Sequence, residues 1–466
     1  MIRDKVLVKE CREAWDGLGI FRRNRRRCKD FAYGRQWGDS VRLPSGRIVS
    51  EEQNMIESGR IPATNNLIGR MLRQITGYYR YMTGDGGRED GRLSLGGGAG
   101  SVGETDVRSL EEFLISGMCV QRVRGSDESW LPGEDVVNFS PERVFFKRFD
   151  SPDGSDARFI GLLHEIPLSV LMERFGRDDQ GCASRIFENF RQNASGGQPP
   201  CVAAQTDFGS ASADGLMRVV EVWRRHRTDV MSVYDVESGE LAEGVRSRRA
   251  ESRLAAVNAS RRREGRPELI AGGRVADHWE HSWLLADGSV LGRRHYPDSH
   301  QPRVVVRLYP MTDGEVHSMV ETVIDQQKFV NRLVGLLDEI LASSAKGAVL
   351  YPVDQLPDGM TWKELRRLWS SPSAILPFKR TSKSIQPRQL SAAGGCAGAT
   401  ELLRTQLKLF DDISGSGGML SQTGRQASGA EMARLQRDES MIAMLDLLAA
   451  FRSFAERRDR LILRVR

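Results

Sequence analysis

The chain has 466 residues, of which 39% are hydrophobic and 28% are charged. It is long enough for more than one core, because single cores usually stop growing at roughly 250–300 residues. Lys and Arg outnumber Asp and Glu by 68 to 62, and a formal charge of +6 permits a polyanionic partner without requiring one. The six cysteines form no C-x-x-C pair, which argues against a zinc site and a disulfide framework and favours a reducing compartment. No apolar run approaches the roughly 18 residues that span a bilayer, so we expect no membrane partner.

The N-terminal part shows helical patterns separated by loops. Residues 3–34 predict helix and contain the basic run from Arg22 to Lys29. Such a run is either a solvated helix face or a contact with nucleic acid or another anionic partner. Residues 61–82 repeat apolar side chains at helical spacing and predict a helix with one buried face, capped by Thr64 or Asn65.

Strand and helix patterns alternate through the middle of the chain and indicate α+β structure. Glycine-rich sequence separates some of these segments and predicts irregular connections. In chain order the patterns predict a loop at 83–103, a mixed α+β layer at 107–166, a flexible connection at 176–215, a strand at 217–235, a charged helix at 243–268, a hairpin at 278–297 with its turn at Asp287-Gly288, and a strand at 303–310.

The last third is dominated by long helices. The stretch "VETVIDQQKFVNRLVGLLDEILASSAKG" begins at Val320 and carries an apolar stripe bordered by Gln326, Gln327 and Asn331. One interpretation is a core helix with polar flanks. The other is a helix packed against copies of itself, with the amides setting register across the interface. Beyond it the patterns predict a strand at 348–352, a helix at 361–369, a strand at 374–379, a helix at 399–413, a Gly/Ser-rich segment at 414–430 and a long final helix.

Motifs for catalysis are missing from the sequence. The Lys383-Ser384 pair lacks the preceding glycines of a nucleotide-binding loop, and there is no G-x-S-x-G elbow. His278, Glu280 and His281, with His295 nearby, are candidate metal ligands. However, positions i and i+3 of a strand face opposite sides. The sequence therefore predicts a non-enzymatic protein without metal or cofactor.

Four stretches, in this order, resemble the portal proteins of tailed double-stranded DNA bacteriophages, most closely those of short-tailed phages. They are "YGRQW" (33–37), "RIPATNNLIGRMLRQITGYYR" (60–80), "IDQQKFVNRLVGLLDEILASSAKGAVL" (324–350) and "DDISGSGGML…ASGAEMARLQ" (411–436). The resemblance implies a mainly helical α+β protomer that assembles, in twelve copies, into a ring at one capsid vertex. The ring would carry double-stranded DNA during packaging, retention and ejection.

The resemblance also implies a division of the chain into named regions. After the final "RLILRVR" no further wing strand or crown helix follows, so either those parts are absent or the chain is truncated. The implied regions are a wing at 1–312 with insertions near 83–103 and 176–215, a first stem helix at 313–345, a clip at 346–395, a second stem helix at 396–413, a tunnel loop at 414–430 and a long wing helix at 431–466.

Two sets of site residues follow from this division. The tunnel loop would contact DNA weakly and without base readout, since tight contacts would stall the duplex. Its residues are Ser416, Gly417, Gly418, Gln422, Arg425 and Gln426. The stem would form the subunit interface through Val320, Ile324, Gln327, Asn331, Leu333, Val334 and Leu337.

A ring of stem helices has the dimensions of a DNA channel. Roughly twelve helices spaced 8–10 Å apart enclose a hole about 20–30 Å wide, which would pass a duplex.

The implied partners are further copies, the terminase large subunit, head-to-tail adaptors, the major capsid and scaffolding proteins, and DNA. The implied location is the virion portal vertex, with the host cytoplasm during assembly. The alternatives are a monomeric or dimeric nucleic-acid-binding protein that uses basic segments 22–29 and 246–266, and a nuclease or motor with an unrecognised site.

Overall fold

The computed structural model describes residues 4–83, 102–131, 134–147, 150–177, 179–194, 208, 216–297, 302–308, 316–344, 348–351, 356–357, 359–370, 388–390, 395–415 and 430–465. Helices and sheets both contribute, which confirms the α+β class. The chain forms two compact units. The first consists of Met1–Cys28, Ile75–Met319 and Leu445–Arg466, and the second of Lys29–Gln74 and Val320–Met444. Residues 29–74 thus cluster with the stem region, which the sequence did not predict.

The helices agree with the predicted order but not with all of its bounds. Residues 102–103, predicted as loop, begin α5, and the predicted flexible connection at 176–215 contains α7. The helices are α1 (Lys5–Gly17), α2 (Gly19–Ala32), α3 (Glu51–Glu57), α4 (Leu67–Thr83), α5 (Val102–Ser116), α6 (Leu168–Leu171), α7 (Gln180–Ala194), α8 (Arg248–Arg263), α9 (Met319–Ser344), α10 (Trp362–Ser370), α11 (Gly395–Ser414) and α12 (Ala430–Val465).

Antiparallel strands form two sheets in the first unit. The larger has the order β10-β9-β7-β6-β5, with β8 also paired to β7, and the smaller has the order β11-β3-β4. These strands are β3 (Met118–Val123), β4 (Val136–Phe139), β5 (Val144–Phe146), β6 (Phe159–Pro167), β7 (Leu216–Tyr234), β8 (Leu241–Val245), β9 (Ile270–Leu285), β10 (Val290–Pro297) and β11 (Val304–Leu308). Two further pairs, both in the second unit, are β1 (Ser40–Arg42) with β2 (Ile48–Ser50) and β12 (Ala348–Leu350) with β13 (Arg388–Leu390).

The larger sheet carries apolar side chains on both faces. Trp223 and Trp279 lie in a cluster on one face, while Val222 and Leu284 lie in a cluster on the other. This alternation follows from the two-residue period of a strand. Gly161 of β6 lies against the Phe145 ring so closely that a Cβ at this position would overlap the ring. A glycine here therefore allows the two strands and the aromatic ring to pack together.

The predicted hairpin at 278–297 is confirmed, and its first strand is longer than predicted. β9 begins at Ile270 and pairs with β7 from Val219↔Leu285 to Tyr234↔Ile270. Gly288 has φ 88°, as a tight turn after Asp287 requires. Every side chain of α8, which precedes β9, is exposed or half-exposed. The far end of β7 and β9 and α8 therefore contribute little to the core.

The second unit contains the predicted stem and clip elements. β12 pairs with β13 in the register Ala348↔Leu390 to Leu350↔Arg388. This pairing brings together the chain just after α9 and the chain just before α11. Residues 348–390 are thus closed at their base by a two-stranded ribbon, and α10 lies between the two strands in sequence. The strand predicted at 374–379 lies outside the described residues.

Candidate assembly helix and buried polar clusters

The amide of Gln327, on α9, caps the start of α4. Its Oε1 accepts hydrogen bonds from the backbone N–H groups of Leu67 at 2.9 Å and Ile68 at 3.2 Å. Its Nε2 donates to the carbonyl of Asn65 at 2.6 Å and to Asn331 Oδ1 at 3.0 Å. The first N–H groups of a helix have no partner within that helix. A side chain from a distant helix therefore satisfies them here.

Asn331, one turn further along α9, extends this network. Its Oδ1 accepts from the backbone N–H of Asn65 at 3.1 Å, and its Nδ2 donates to Gln36 Oε1 at 2.6 Å. Gln36 in turn donates to Asn66 Oδ1 at 3.2 Å. We call this set the amide network. It consists of the side-chain amides of Gln36, Asn66, Gln327 and Asn331 and the backbone of Asn65.

The local cap of α4 is Asn66, not Thr64 or Asn65 as the sequence suggested. Asn66 Oδ1 accepts from the backbone N–H of Gly69 at 2.9 Å, and its Nδ2 donates to the carbonyl of Ala32 at 2.8 Å. The Thr64 hydroxyl instead accepts from Trp37 Nε1 at 3.1 Å. The roles of Asn66 and Thr64 are thus set by contacts with Ala32 and Trp37, which the local sequence of α4 does not specify.

Ion pairs surround the amide network. Lys328 lies 2.7 Å from Asp39 and 3.2 Å from Glu51, and Arg332 lies 2.5 Å from Glu51. Glu51 is buried in the first turn of α3, while Lys328 is largely covered. Three of the stretches that carried the resemblance, 33–37, 60–80 and 324–350, thus supply one continuous polar cluster.

The predicted stem-interface residues separate into two groups. Val320, Ile324, Gln327, Asn331 and Leu333 are buried within a single chain, with at most 5% of the residue surface exposed. The chain's own atoms already cover them, and their role as subunit contacts stays a prediction. Val334 and Leu337, nearer the C-terminal end of α9, are half-buried.

Other apolar side chains of α9 and α11 are exposed, and none of them is among the predicted interface residues. Phe329, Leu336 and Leu341 on α9 are 41%, 46% and 54% exposed. A spacing of seven residues places Phe329 and Leu336 on one face of the helix, off the buried stripe. Leu341 lies on a different face and is exposed because it is near the end of α9. On α11, Leu402, Leu409 and Ile413 are 42%, 39% and 48% exposed. The sequence signal for this exposed surface is that both helices contain more apolar residues than one buried stripe requires.

The predicted tunnel-loop residues lie outside the described residues. They are Ser416, Gly417, Gly418, Gln422, Arg425 and Gln426.

A second polar cluster, in the first unit, surrounds the fully buried carboxylate of Glu221. It accepts from Arg122 at 2.7 and 3.0 Å, from His164 and His281 at 2.7 and 3.0 Å, and from Trp223 Nε1 at 3.0 Å. Burial alone would raise the pKa of Glu221, but Arg122 and the two histidines hold that pKa well below its ordinary value. Burial lowers the pKa of His164, which favours its neutral form. Glu221 is therefore an ionised carboxylate whose hydrogen-bonding capacity is well satisfied.

Ligand atoms of Glu128, Glu221 and His281 lie within 4.8 Å of one another, close enough to bind a metal ion. Arg122 already joins the two carboxylates, with 2.9 Å to Glu128, and Arg303 lies 2.8 Å from Glu128. Two guanidinium groups provide the positive charge that a metal would supply. This arrangement is a buried ion-pair cluster with little electrostatic reason to hold a cation.

The histidines considered as metal ligands do not converge. His281 faces Glu221 and stacks on Trp223, with ring centroids 4.0 Å apart. His278 and Glu280 lie on the other face of β9, as the strand period predicted. His295 packs near His278, at 5.2 Å between centroids.

The basic run at 22–29 is partly built into the core, so it is neither a fully solvated helix face nor a fully available contact for nucleic acid. Arg25 is 4% exposed and pairs with Glu112 at 2.7 Å and Glu142 at 3.0 Å. Arg22 is also buried, and its guanidinium lies 3.7 Å from the centroid of the Trp15 ring. These arginines are occupied by intramolecular contacts.

The basic segment 246–266 is exposed, but several of its arginines are paired. Arg261 lies 2.5 Å from Asp235, and Arg262 and Arg266 pair with Glu268 and Glu237. The side-chain hydrogen bond from Arg261 and a backbone hydrogen bond from Glu237 hold the pKa of Asp235 well below its usual range. These pairs reduce the charge available to a polyanion.

The amide network holds the first half of α9, and the exposed Leu336 and Leu341 lie in its second half. Among the described residues, no helix combines the length and apolar composition that crossing a membrane requires.

Comparison with protein-family models matches residues 107–464 to the family described as Phage P22-like portal protein. The match spans more than half of the 466 residues, and the chain belongs to the P22-like phage portal protein family. This confirms the resemblance noted in the sequence and makes the chain a structural protein of the bacteriophage capsid vertex, associated with DNA packaging. Stretches 33–37 and 60–80 lie outside the match. No curated protein matches the chain.

Proposed function

We propose that this chain is the protomer of a ring, of about twelve copies, that forms the DNA channel at one capsid vertex. Family membership supports oligomeric ring assembly with capsid and DNA. The number of copies, the channel lining and the docking partners are parts of the proposal. The ring would carry double-stranded DNA into the capsid, retain it there and release it on ejection.

The observation that carries the proposal is the exposure of apolar side chains on both stem helices. Leu336 and Leu341 on α9 and Leu409 and Ile413 on α11 are between 39% and 54% exposed in one chain. Clusters of exposed apolar side chains favour contact with another protein surface. In a ring, the stem of each neighbouring copy would cover them.

The amide network contributes to this function indirectly. It fixes the first half of α9 against residues 36–69 of the same chain, so this half does not depend on a neighbour for its position. The second half, with Val334 and Leu337, would then be presented in a defined direction to the next subunit. A subunit interface formed by a rigid helix loses less conformational entropy on assembly.

The remaining assignments rest on the family resemblance. The residues at 346–395 would form the clip that docks the terminase large subunit and the head-to-tail adaptors. The ribbon of β12 and β13 supports an insertion that can be extended without disturbing the stem, since its base is closed. The segment 414–430 would form the tunnel loop, and Arg425 would make a single, salt-sensitive contact with phosphates. Major capsid and scaffolding proteins would contact the wing.

The size of the purified protein tests the proposal. A ring of twelve 52.1 kDa chains has a mass of about 600 kDa, and mass photometry resolves it from a monomer or dimer. Negative-stain images should show rings with a central hole about 20–30 Å wide. A monodisperse monomer at micromolar concentration, with no rings in the images, would contradict the proposal.

A further inference from the structure

A cavity of about 310 Å³ in the first compact unit is lined by four arginines. Arg457, Arg460 and Arg464 lie on α12, where their spacing places them on one face of the helix. Arg225 reaches the cavity from β7. The other walls are the loop around Asp153 and apolar side chains in or just before strands of the two sheets, namely Ala157, Ile160, Trp279, Pro302, Val304 and Val306.

The carboxylates near this cavity do not balance its positive charge. Arg457 donates to the carbonyl of Asp153 and lies 3.9 Å from its carboxylate, and Arg225 lies 3.5 Å from Asp277. Within the described part of the chain, neither Arg460 nor Arg464 has a carboxylate at ion-pair distance. Counting described residues alone, two guanidinium groups, both on exposed side chains, therefore have no paired carboxylate.

The Asp153 loop is ordered by its own hydrogen bonds. Asp153 accepts from the Ser151 hydroxyl at 2.6 Å and from the backbone N–H of Ser155 at 2.9 Å. Burial opposes ionisation, but these hydrogen bonds lower the pKa of Asp153 to about 2. At neutral pH Asp153 is a fixed negative charge. It neutralises one guanidinium and holds Arg457 at the cavity wall.

The surroundings of Arg457 disfavour its positive charge. Burial and the charge of Arg460 lower the pKa of Arg457, although Asp153 opposes the shift. Buried cations with too little negative charge nearby are costly. An anion in the cavity would relieve this cost.

We propose that this cavity binds a phosphate group through Arg457, Arg460, Arg464 and Arg225. Guanidinium groups recognise phosphate oxygens by paired, charge-assisted hydrogen bonds. A phosphate monoester carries a charge of about −1.5 to −2 and three acceptor oxygens, which matches the charge excess better than one carboxylate does. The cavity volume is at the lower end of the roughly 300–1,000 Å³ typical of small-ligand pockets. The site does not depend on ring formation, because all its residues belong to one unit of one chain.

Calorimetric titration of the full-length protein with pyrophosphate, in buffers matched for ionic strength with sodium chloride, tests the site. We expect saturable binding to the wild-type chain. Arg460→Gln and Arg464→Gln should each weaken it about tenfold or more, since each removes a charge-assisted contact. Arg452→Gln is the matched control, because Arg452 lies on the same helix, is similarly exposed and pairs with Glu456 at 2.9 Å.

Three results would overturn the site. The first is an absence of saturable binding, the second is equal weakening by Arg460→Gln and Arg452→Gln, and the third is tighter binding of a triglutamate peptide than of pyrophosphate. Thermal unfolding of each variant identifies any loss of fold.

A competing duplex of about 20 base pairs separates the sources of phosphate. Displacement of pyrophosphate assigns the site to the nucleic-acid backbone, and continued binding beside the duplex assigns it to a free phosphate compound.

Discussion

The side-chain amide of Asn331 donates a hydrogen bond of 2.6 Å to Gln36, although 295 residues separate them in the chain. This contact belongs to the amide network that joins residues 36–69 to the first half of the stem helix. It explains why two stretches far apart in sequence form one compact unit. It also shows that the two amides bond within one chain, as the interpretation of α9 as a core helix with polar flanks predicts.

Replacing Gln327 by Leu should destabilise the second unit by about 1–3 kcal/mol. The change leaves the N–H groups of Leu67 and Ile68 and the carbonyl of Asn65 without their partner, and buried unpaired groups cost about that much. Hydrogen–deuterium exchange should show faster exchange at the start of α4, and thermal unfolding should occur at a lower temperature.

Gln326→Leu is the matched control for this experiment. Gln326 is the preceding amide on the same helix, and its Oε1 is buried without a hydrogen-bond partner among the described residues. Its replacement should be neutral or slightly stabilising. Equal effects of the two variants would show that the cap on α4 contributes little to stability.

Replacing Arg122 by Met should destabilise the first unit by about 3–5 kcal/mol, because it leaves the Glu221 carboxylate buried without its cation. The double variant Arg122→Met/Glu221→Gln removes both charges and should recover part of this loss. Urea unfolding followed by tryptophan fluorescence measures the free energy of unfolding of Arg122→Met, Glu221→Gln and the double variant. If the double variant is destabilised by the sum of the two single effects, Arg122 and Glu221 are not energetically coupled.

The stability of the first unit should fall as the pH is lowered from 7 to 5. The pKa of His164 is lowered from 6.5 by burial, so the unfolded chain binds a proton that the folded chain excludes. The stability contributed by neutral His164 is therefore lost as the pH falls below about 6.5, with a slope of at most about 1.4 kcal/mol per pH unit. His226 and His295, whose pKa values are also lowered, with burial the largest cause, should add to the slope.

His164→Gln tests the contribution of His164, since an amide can still donate to Glu221 but does not titrate. The unfolding midpoint in urea, measured between pH 5 and 7, should depend less steeply on pH in this variant. An unchanged slope would assign the pH dependence to other groups. Glu221 should add a further loss only below its ordinary pKa of about 4.5, because its folded pKa lies well below that value.

Placing charges on the exposed stem residues should prevent ring formation without unfolding the chain. Leu336→Glu/Leu341→Glu would bury carboxylates in the proposed subunit contact and should lower the ring fraction about tenfold or more by mass photometry. Leu463→Glu, at an 80% exposed leucine of α12, is the control and should leave assembly unchanged. Rings of normal mass from the double variant would place the subunit contact elsewhere.

Deleting residues 416–426 should leave the ring intact but impair packaging or retention of DNA. The reason is that the proposed subunit contact lies on the stem helices, whereas the proposed tunnel loop contacts only DNA. Mass photometry checks assembly, and the amount of nuclease-protected DNA in assembled particles checks packaging. Loss of oligomers in the deletion variant would show that these residues take part in assembly and not in the channel.

The sequence alone determined the helices and strands with strong periodic patterns. The stem helix, the hairpin turning at Asp287-Gly288 and the final long helix were all predicted, because local spacing of apolar residues and turn residues specifies such elements. The succession of these elements and four local stretches also indicated the portal family, which the family match confirms. At 176–215 the many small and polar residues predicted a flexible connection, whereas the structure has α7 within it.

Only the tertiary structure decided what each polar residue does. An amide beside an apolar stripe has the same pattern whether it faces a neighbouring subunit or its own chain, and Gln327 and Asn331 face their own chain. A run of arginines looks solvent-exposed until Glu112 and Glu142 are found opposite Arg25. The partners of these groups lie tens to hundreds of residues away, and hydrogen bonds and ion pairs act over only a few ångströms. Their roles were therefore fixed by the folded arrangement of the chain, which local sequence patterns do not specify.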